Sequence, residues 1–151
     1  MAQLDLKAIK KLRDATSASI ADCRRALEDA NGDEKKALEW LKKRAGEIAA
    51  KKADRETSQG IIEAYIHGGG KVGVLVDLAC ETDFVAKTDE FKGLAKEVAM
   101  QVAAMDPKDV EELLKQAYIR DNSQTIEQLV KEAIGKIGEN ITIKKFIRFE
   151  I

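Results

Sequence analysis

The side chains that could do chemistry lie mainly in one short stretch, CETDFVAKTDEF, at positions 80–91. It holds one thiol and four carboxylates, on Cys80, Glu81, Asp83, Asp89 and Glu90. The acids lack the spacing of a calcium loop, and no glycine among them supplies its sharp turn. Carboxylates also favour the first turn of a helix, which carries partial positive charge, and we interpret the last two acids that way. A cation site, a helix start and a surface for another protein are the three hypotheses for this stretch.

The remaining inventory of catalytic groups is small. His67 is the single histidine, and no serine, cysteine or second histidine near it in sequence would form a nucleophile pair or a metal site. The stretch HGGGKVG lacks the Walker spacing and leads into a strand rather than a helix, so it does not predict a phosphate loop. Cys80 ends an apolar run, where a buried structural thiol is commoner than a nucleophile. The residues argue against an enzyme, and we expect no cofactor.

Phe84 raises a separate question because it follows an acid, Asp83, just after an apolar strand-like run. One hypothesis is that Phe84 and Val85 fold back into the core of their own domain. The other is that a short loop projects here, in which case an exposed phenylalanine is a good anchor for an interface. The local sequence leaves both hypotheses open.

The first 55 residues predict three short helices. Apolar residues recur at helical spacing in the first of them, at Leu4, Ala8, Ile9 and Leu12. Ser19 predicts the N-cap of the second helix, and Gly32 with Asp33 predicts its end and the cap of the third. Such a unit has a small core, so a binding role suits it better than an enclosed active site.

From residue 56 onward the apolar period changes. GIIEAYIH and VGVLVDLAC flank GGGK, which predicts a β-hairpin. A long helix follows, then a helix predicted to start at Asp106–Pro107, then one with a Thr125–Gln128 capping box. The last stretch, NITIKKFIRFEI, alternates as a strand and changes phase near Phe146. We predict an α+β fold with two domains, a three-helix domain with a helical linker at 1–55 and a small antiparallel sheet covered by helices at 56–151.

Charge and composition exclude several classes of function. The net charge of the 151 residues is −1, so no overall field attracts nucleic acid or an anionic membrane. Residues 1–55 carry 14 basic and 10 acidic side chains, and the other residues carry 12 and 17, a contrast that also indicates two units. Two cysteines in apolar patterns indicate buried thiols in a reducing cytosol. No apolar stretch approaches the roughly 20 residues of a membrane span, and the start is no secretory signal. We therefore expect a cytoplasmic protein that binds neither membrane nor nucleic acid directly.

Three stretches, in this order, resemble the bacterial elongation factor Ts family. They are LRDATSASIADCRRALEDANGDEKKALEWLKK, CETDFVAKTDEF and KIGENITIKKF. The resemblance implies that the three helices form a module similar to ubiquitin-associated domains. It also implies a short form of the family with a single copy of the core domain, which would act as a homodimer through its sheet-bearing domain.

The resemblance further implies a guanine-nucleotide exchange factor for elongation factor Tu, which it would bind in GDP-bound and nucleotide-free states. The segment Thr82, Asp83, Phe84 and Val85 would push into the partner beside its magnesium site, with the phenylalanine as a wedge. The ion would then be dislodged, and GDP would leave. The factor itself would carry out no bond chemistry.

In the N-terminal module, the resemblance implies contacts with the partner through Arg24 and, near it, Leu12. Two departures from the family pattern are visible: Thr16-Ser17-Ala18-Ser19 replaces a glycine-containing loop, and Ala79 replaces an asparagine before Cys80. The first removes the flexibility that glycine gives to that loop. The alternative to an exchange factor is an interaction adaptor, which would have the same two modules but no need for an exposed Phe84.

Overall fold

A computed structural model describes residues 5–151, and it has the α+β fold that the sequence predicts. Leu4, assigned above to the first helix, lies outside the described residues. The N-terminal part contains the helices α1 (Leu6–Thr16), α2 (Ile20–Asp29) and α3 (Glu34–Lys52). The predicted caps are confirmed, because Ser19 accepts a hydrogen bond from the N–H of Asp22 and Asp33 caps α3.

The three helices enclose a small hydrophobic core of their own. Its buried members are Ile9, Leu12, Cys23, Ala26, Leu27, Ala30, Ala37 and Leu41. The end of α3 belongs to the second core instead, since Ala49 is buried among residues of the sheet-bearing part. The division at residue 55 stays a prediction, because α3 runs from one core into the other without a break.

The sheet-bearing part is built on three antiparallel strands. They are β1 (Gln59–His67), β2 (Val72–Cys80) and the strand Ile141–Glu150, which is labelled β5 below. In the sheet, β2 lies between the other two strands. The predicted hairpin is confirmed: Ile66 pairs with Gly73, and the glycine turn between the strands takes positive φ angles at Gly68, Gly69 and Gly70.

Helices cover one face of this sheet. Between β2 and the last strand the chain forms α4 (Asp83–Ala86), α5 (Asp89–Met105), α6 (Val110–Lys115), the short hairpin β3 (Ala117–Tyr118) and β4 (Asp121–Thr125), and then α7 (Ile126–Ile137), which leads into β5 (Ile141–Glu150). The inner face of β2 presents Val74, Val76 and Leu78, all buried, to these helices. Phe91 of α5 is fully buried in the same core.

The phase change predicted near Phe146 is a β-bulge. Asp77 pairs with Lys145 and the next residue, Leu78, pairs with Ile143, so one residue of β5 has no partner in β2. An unpaired residue shifts the alternation of side chains by one position. Phe146 therefore packs on the core, while Ile147 and Phe149 point away from it.

The side of the sheet away from the helices is apolar and exposed. We call it the outer face, and its residues are Ile62, Ala64, Ile66, Leu75, Ile147 and Phe149. The strand register places Ala64 opposite Leu75, and Leu75 opposite Ile147, so these side chains form one continuous patch. Its exposed fractions reach 66% at Ile66 and 68% at Phe149.

Two details of the middle region differ from the sequence predictions. The helix predicted to start at Asp106–Pro107 was placed wrongly: Asp106 takes a left-handed conformation and ends α5, and Asp109 caps α6 by accepting from the N–H of Glu112. Two aspartates three residues apart can each serve as a cap, and the sequence did not distinguish them. The β3–β4 hairpin was not predicted, because its strands are too short to show alternation.

Within the part of the chain that the structure describes, no helix is long and apolar enough to cross a membrane.

Gly60 is required where β1 passes close to β2. Its φ angle is +154°, and a Cβ atom there would lie 2.1 Å from the carbonyl oxygen of Leu78. We expect Gly60→Ala to lower the free energy of unfolding by roughly 2 kcal/mol or more, measured by urea denaturation. Gly46, inside α3, is the control, since no heavy atom lies within 4 Å of a Cβ there. Gly46→Ala should raise stability by about 0.5 kcal/mol; equal effects of the two substitutions would contradict the close approach at Gly60.

Candidate functional site

The stretch CETDFVAKTDEF folds into two consecutive helices that are separately capped. The hydroxyl of Thr82 accepts a hydrogen bond from the N–H of Val85 at 3.3 Å, which starts α4. The hydroxyl of Thr88 accepts from the N–H of Phe91 at 3.3 Å, which starts α5. Each cap satisfies an N–H that the helix itself cannot pair. The chain therefore turns a corner between the two caps, and α4 is a single helical turn at that corner.

The turn buries its last residue and exposes its phenylalanine. Ala86 is buried, and Val85 is half-buried against the core. Phe84 is 79% exposed, whereas Phe91 in the next helix is 0% exposed. The hypothesis that Phe84 folds back into its own core is therefore wrong, and the hypothesis that it projects is confirmed.

The base of the turn is held by the segment that precedes β5. Glu139 accepts hydrogen bonds from the N–H groups of Glu81, at 3.2 Å, and Thr82, at 3.0 Å. Its other carboxylate oxygen accepts from the hydroxyl of Thr82 at 2.7 Å. In return, the carboxylate of Glu81 accepts from the N–H of Asn140 at 2.8 Å. Residues 81–82 and 139–140 are thus joined by carboxylate–backbone hydrogen bonds in both directions, and we call this set of bonds the clasp.

Asn140 extends this clasp to the end of the N-terminal part. It is buried, and its side-chain amide donates to the carbonyl of Arg55 at 2.8 Å and to that of Ala53 at 3.4 Å. The guanidinium of Arg55 lies 3.6 Å from the carboxylate of Glu81. The loop that carries Phe84 is therefore connected by hydrogen bonds to the linker after α3.

Cys80 has a structural role at this site. Its thiol is fully buried and donates to the carbonyl oxygen of Thr82 at 3.1 Å. Burial, followed by the nearby carboxylate of Glu139, raises the pKa of this thiol above its ordinary value. A thiol with a raised pKa stays protonated near neutral pH and is a poor nucleophile. The interpretation of Cys80 as a buried structural cysteine is confirmed.

The acids of the stretch point in different directions. Glu81 turns inward to Asn140, while Asp83 forms an ion pair with Lys87 at 3.2 Å on the surface of α4. Asp89 and Glu90 lie in the first turn of α5, as predicted. Among residues 5–151, no three or more histidine, cysteine or acidic side chains are grouped so that they could hold a metal ion.

The two predicted contact residues of the N-terminal module differ in accessibility. Arg24 lies on the surface of α2 and pairs with Glu28 at 2.9 Å. Leu12 is 3% exposed and belongs to the core of the three helices. Of the two, Arg24 alone presents its side chain to solvent, and Leu12 supports the surface from beneath.

Sequence reasoning gave no role to Glu139 or Asn140, although both lie in the stretch KIGENITIKKF. The available signal was an acid and an amide between a helix-ending glycine, Gly138, and a strand. That position is a common place for side chains that pair with backbone groups. The partner segment could not be read from it, because 57 to 59 residues separate the bonded groups.

Comparison with known proteins places these features in a family. A family model described as elongation factor TS matches residues 81–151, which include the Phe84 turn, the clasp and β5. The elongation factor Ts of Carboxydothermus hydrogenoformans is 42% identical, with 95% of this chain and 87% of the relative aligned. The elongation factor Ts of Thermoanaerobacter sp. is 40% identical over 97% of this chain and 94% of the relative. The elongation factor Ts of Nostoc sp. is 43% identical over the whole chain, which covers 48% of that relative.

The exposure of Phe84 predicts that its removal leaves the fold intact. We expect Phe84→Ala to change the free energy of unfolding by less than about 0.5 kcal/mol, since it is a surface position. Phe91→Ala, the matched buried phenylalanine, should cost about 3–5 kcal/mol. Urea denaturation of both variants checks this. A loss at Phe84 that approaches the loss at Phe91 would mean that Phe84 belongs to the core.

Proposed function

Because the chain belongs to the elongation factor Ts family, and so takes part in translation elongation, we propose that it is a guanine-nucleotide exchange factor for elongation factor Tu. It would bind the GDP-bound partner, promote release of GDP and remain on the nucleotide-free form. GDP release would be promoted by protein–protein contact alone, with no catalytic residue and no cofactor of its own. We place this activity in the cytoplasm, with no direct contact with nucleic acid or membrane.

The observation that carries the proposal is an exposed phenylalanine on an anchored turn. Phe84 is 79% exposed, while Thr82, Val85 and Ala86 are fixed to the rest of the domain by hydrogen bonds and burial. Aromatic side chains, phenylalanine among them, are enriched in the buried core of protein interfaces. A side chain held in its bound orientation before binding loses less conformational entropy when it binds. Phe84 is an aromatic side chain on a backbone that its neighbours hold in place, so less of the backbone has to be ordered when it binds.

The proposed mechanism is insertion of this turn beside the magnesium site of the partner. Phe84 fills an apolar pocket of the GTPase domain, and Thr82, Asp83 and Val85 form the surrounding contact. Magnesium and a phosphate-cradling loop hold a bound diphosphate in such domains. A ligand that binds best when those contacts are distorted weakens GDP, and by linkage GDP weakens that ligand equally. Release of GDP follows from this reciprocity without any bond being made or broken.

The N-terminal module adds a second contact in this proposal. The guanidinium of Arg24 is accessible on α2 and carries the charge for that contact. Leu12 acts through the packing of α1 against α2, because its side chain is buried. The Asn140 hydrogen bonds to Ala53 and Arg55 connect the linker after α3 to the loop of Phe84, so both contacts lie on one connected body.

We further propose that two copies pair through the outer face of the sheet. An exposed apolar patch of this kind on a small domain is typical of an interaction surface. The occupant that fits is a second copy of this chain, since the patch is apolar in its centre and has Asp77 and Lys145 facing each other at its border. A two-fold arrangement lets unlike charges of two copies meet around an apolar centre.

Release of a fluorescent GDP analogue from a bacterial elongation factor Tu tests the exchange activity. We expect the wild-type chain to accelerate release in stopped-flow measurements. Phe84→Ala should reduce the acceleration by roughly 30-fold, the effect of losing an interface residue worth about 2 kcal/mol. Met105→Ala, at the exposed far end of α5, is the control and should have no effect. No acceleration by the folded wild type would favour the adaptor over the exchange factor.

The homodimer is tested by sedimentation equilibrium. We expect the wild type to sediment as a dimer, and Ile147→Glu to give monomers, because a carboxylate in the centre of an apolar interface is desolvated without a partner. Glu111→Ala, a change at an exposed residue on α6, should leave the dimer intact. A dimer with a Kd of about 100 μM or tighter would be populated at a protein concentration of about 100 μM. A wild type that stays monomeric at that concentration would remove this part of the proposal.

A further inference from the structure

We propose that Glu139 is a positioning residue, which fixes the orientation of the turn that carries Phe84. The inference rests on the proposed function, since that orientation has a consequence only if Phe84 binds a partner. Glu139 does not need to touch the partner for this role. It acts through Thr82, the residue that starts the turn.

The carboxylate of Glu139 accepts three hydrogen bonds from the opposite segment. One oxygen receives the two consecutive N–H groups of Glu81 and Thr82, at 3.2 and 3.0 Å, and the other receives the hydroxyl of Thr82 at 2.7 Å. Hydrogen bonds to an ionised acceptor are stronger than bonds between neutral groups. Three of them to adjacent groups define where Thr82 lies and how its peptide planes are oriented.

Thr82 passes this orientation to the turn. Its hydroxyl donates to Glu139 and accepts from the N–H of Val85 at 3.3 Å. Its carbonyl accepts from the N–H of Ala86 at 3.3 Å and from the thiol of Cys80 at 3.1 Å. A single helical turn is not stable by itself in water, so α4 depends on these contacts. Since Phe84 lies between Thr82 and Val85, these contacts fix its backbone and so the direction of its Cα–Cβ bond.

Closure of the sheet does not require this carboxylate. The strands β2 and β5 are already paired up to Cys80 and Ile141 by backbone hydrogen bonds. Glu139 precedes β5, is part-buried at the rim, and its hydrogen bonds go to the loop rather than to the core. The direction of its bonds indicates control of the loop.

Three substitutions separate the roles of the carboxylate. Glu139→Ala removes all three acceptor contacts. Glu139→Gln keeps one oxygen for the two N–H groups and replaces the acceptor of the Thr82 hydroxyl by an amide donor, so it should restore part of the effect. Glu111→Ala is the matched control, because Glu111 is an exposed glutamate that pairs with Lys115 on α6, far from the loop in sequence.

Amide hydrogen exchange of the free protein measures how often the hydrogen bonds of the loop open. We expect Glu139→Ala to speed exchange at residues 82–87 about tenfold, the effect of losing a hydrogen bond to a charged group, while Val76 in the middle of β2 keeps its rate. Glu139→Gln should fall between this variant and wild type, and Glu111→Ala should match wild type. Unchanged rates at 82–87, or an equal rise in β2, would overturn the positioning role.

The GDP-release assay in two backgrounds shows whether Glu139 acts through Phe84. We expect Glu139→Ala to reduce acceleration roughly tenfold when Phe84 is present, and to have no further effect on the residual rate of Phe84→Ala, because coupled residues are not additive. The same reduction in both backgrounds would overturn the inference. If the wild type does not accelerate release, the proposed function fails by itself, and hydrogen exchange alone then decides whether Glu139 positions the turn.

Discussion

The antiparallel pairing of β2 with β5 is the constraint on which the site depends. It sets Cys80 opposite Ile141, so the residues that leave one strand meet the residues that enter the other. Without that register, Glu81 and Asn140 would not be neighbours, and none of the three carboxylate–backbone bonds between the segments could form. The same pairing carries the β-bulge, which shifts the alternation of β5 so that Phe146 faces the core while Ile147 and Phe149 face outward. One strand pair thus determines two of the surfaces proposed for binding, the Phe84 turn and the outer face.

Successive residues of the turn at the end of β2 have different structural roles. Thr82 provides the cap, Val85 and Ala86 provide the hydrophobic contact with the core, and Phe84 is left without an intramolecular function. An exposed phenylalanine side chain adds no hydrophobic stabilisation, because its apolar surface stays in contact with water after folding. Local rules of protein stability are usually broken only where function requires it. The exposed ring and the many contacts that hold its neighbours are two parts of one arrangement, a rigid support for a side chain that leaves most of its surface in solvent.

The features that local chemistry decides could be predicted from the sequence. The caps at Ser19, Asp33 and Thr125, the glycine hairpin and the change of phase in β5 each depend on residues a few positions apart, and these are confirmed. The orientation of Phe84 could not be decided, because the break between α4 and α5 interrupts the helical period that would relate it to Phe91. The start of α6 was misplaced because Asp106 and Asp109 are equally good caps by residue type. The role of Glu139 depends on the strand register, which no local pattern contains.

The separation along the chain between the Phe84 turn and its anchors has a consequence during synthesis. The groups that fix the turn follow it by 57 to 59 residues, and β5, which aligns them, is made later still. A nascent chain on the ribosome therefore exposes Phe84 on an unanchored loop until that later segment has emerged. Contacts of such sequence separation form late in folding, because the intervening chain must first be ordered. The turn thus becomes rigid only after residues 139–150 have emerged, and the surface proposed for binding is completed at that point.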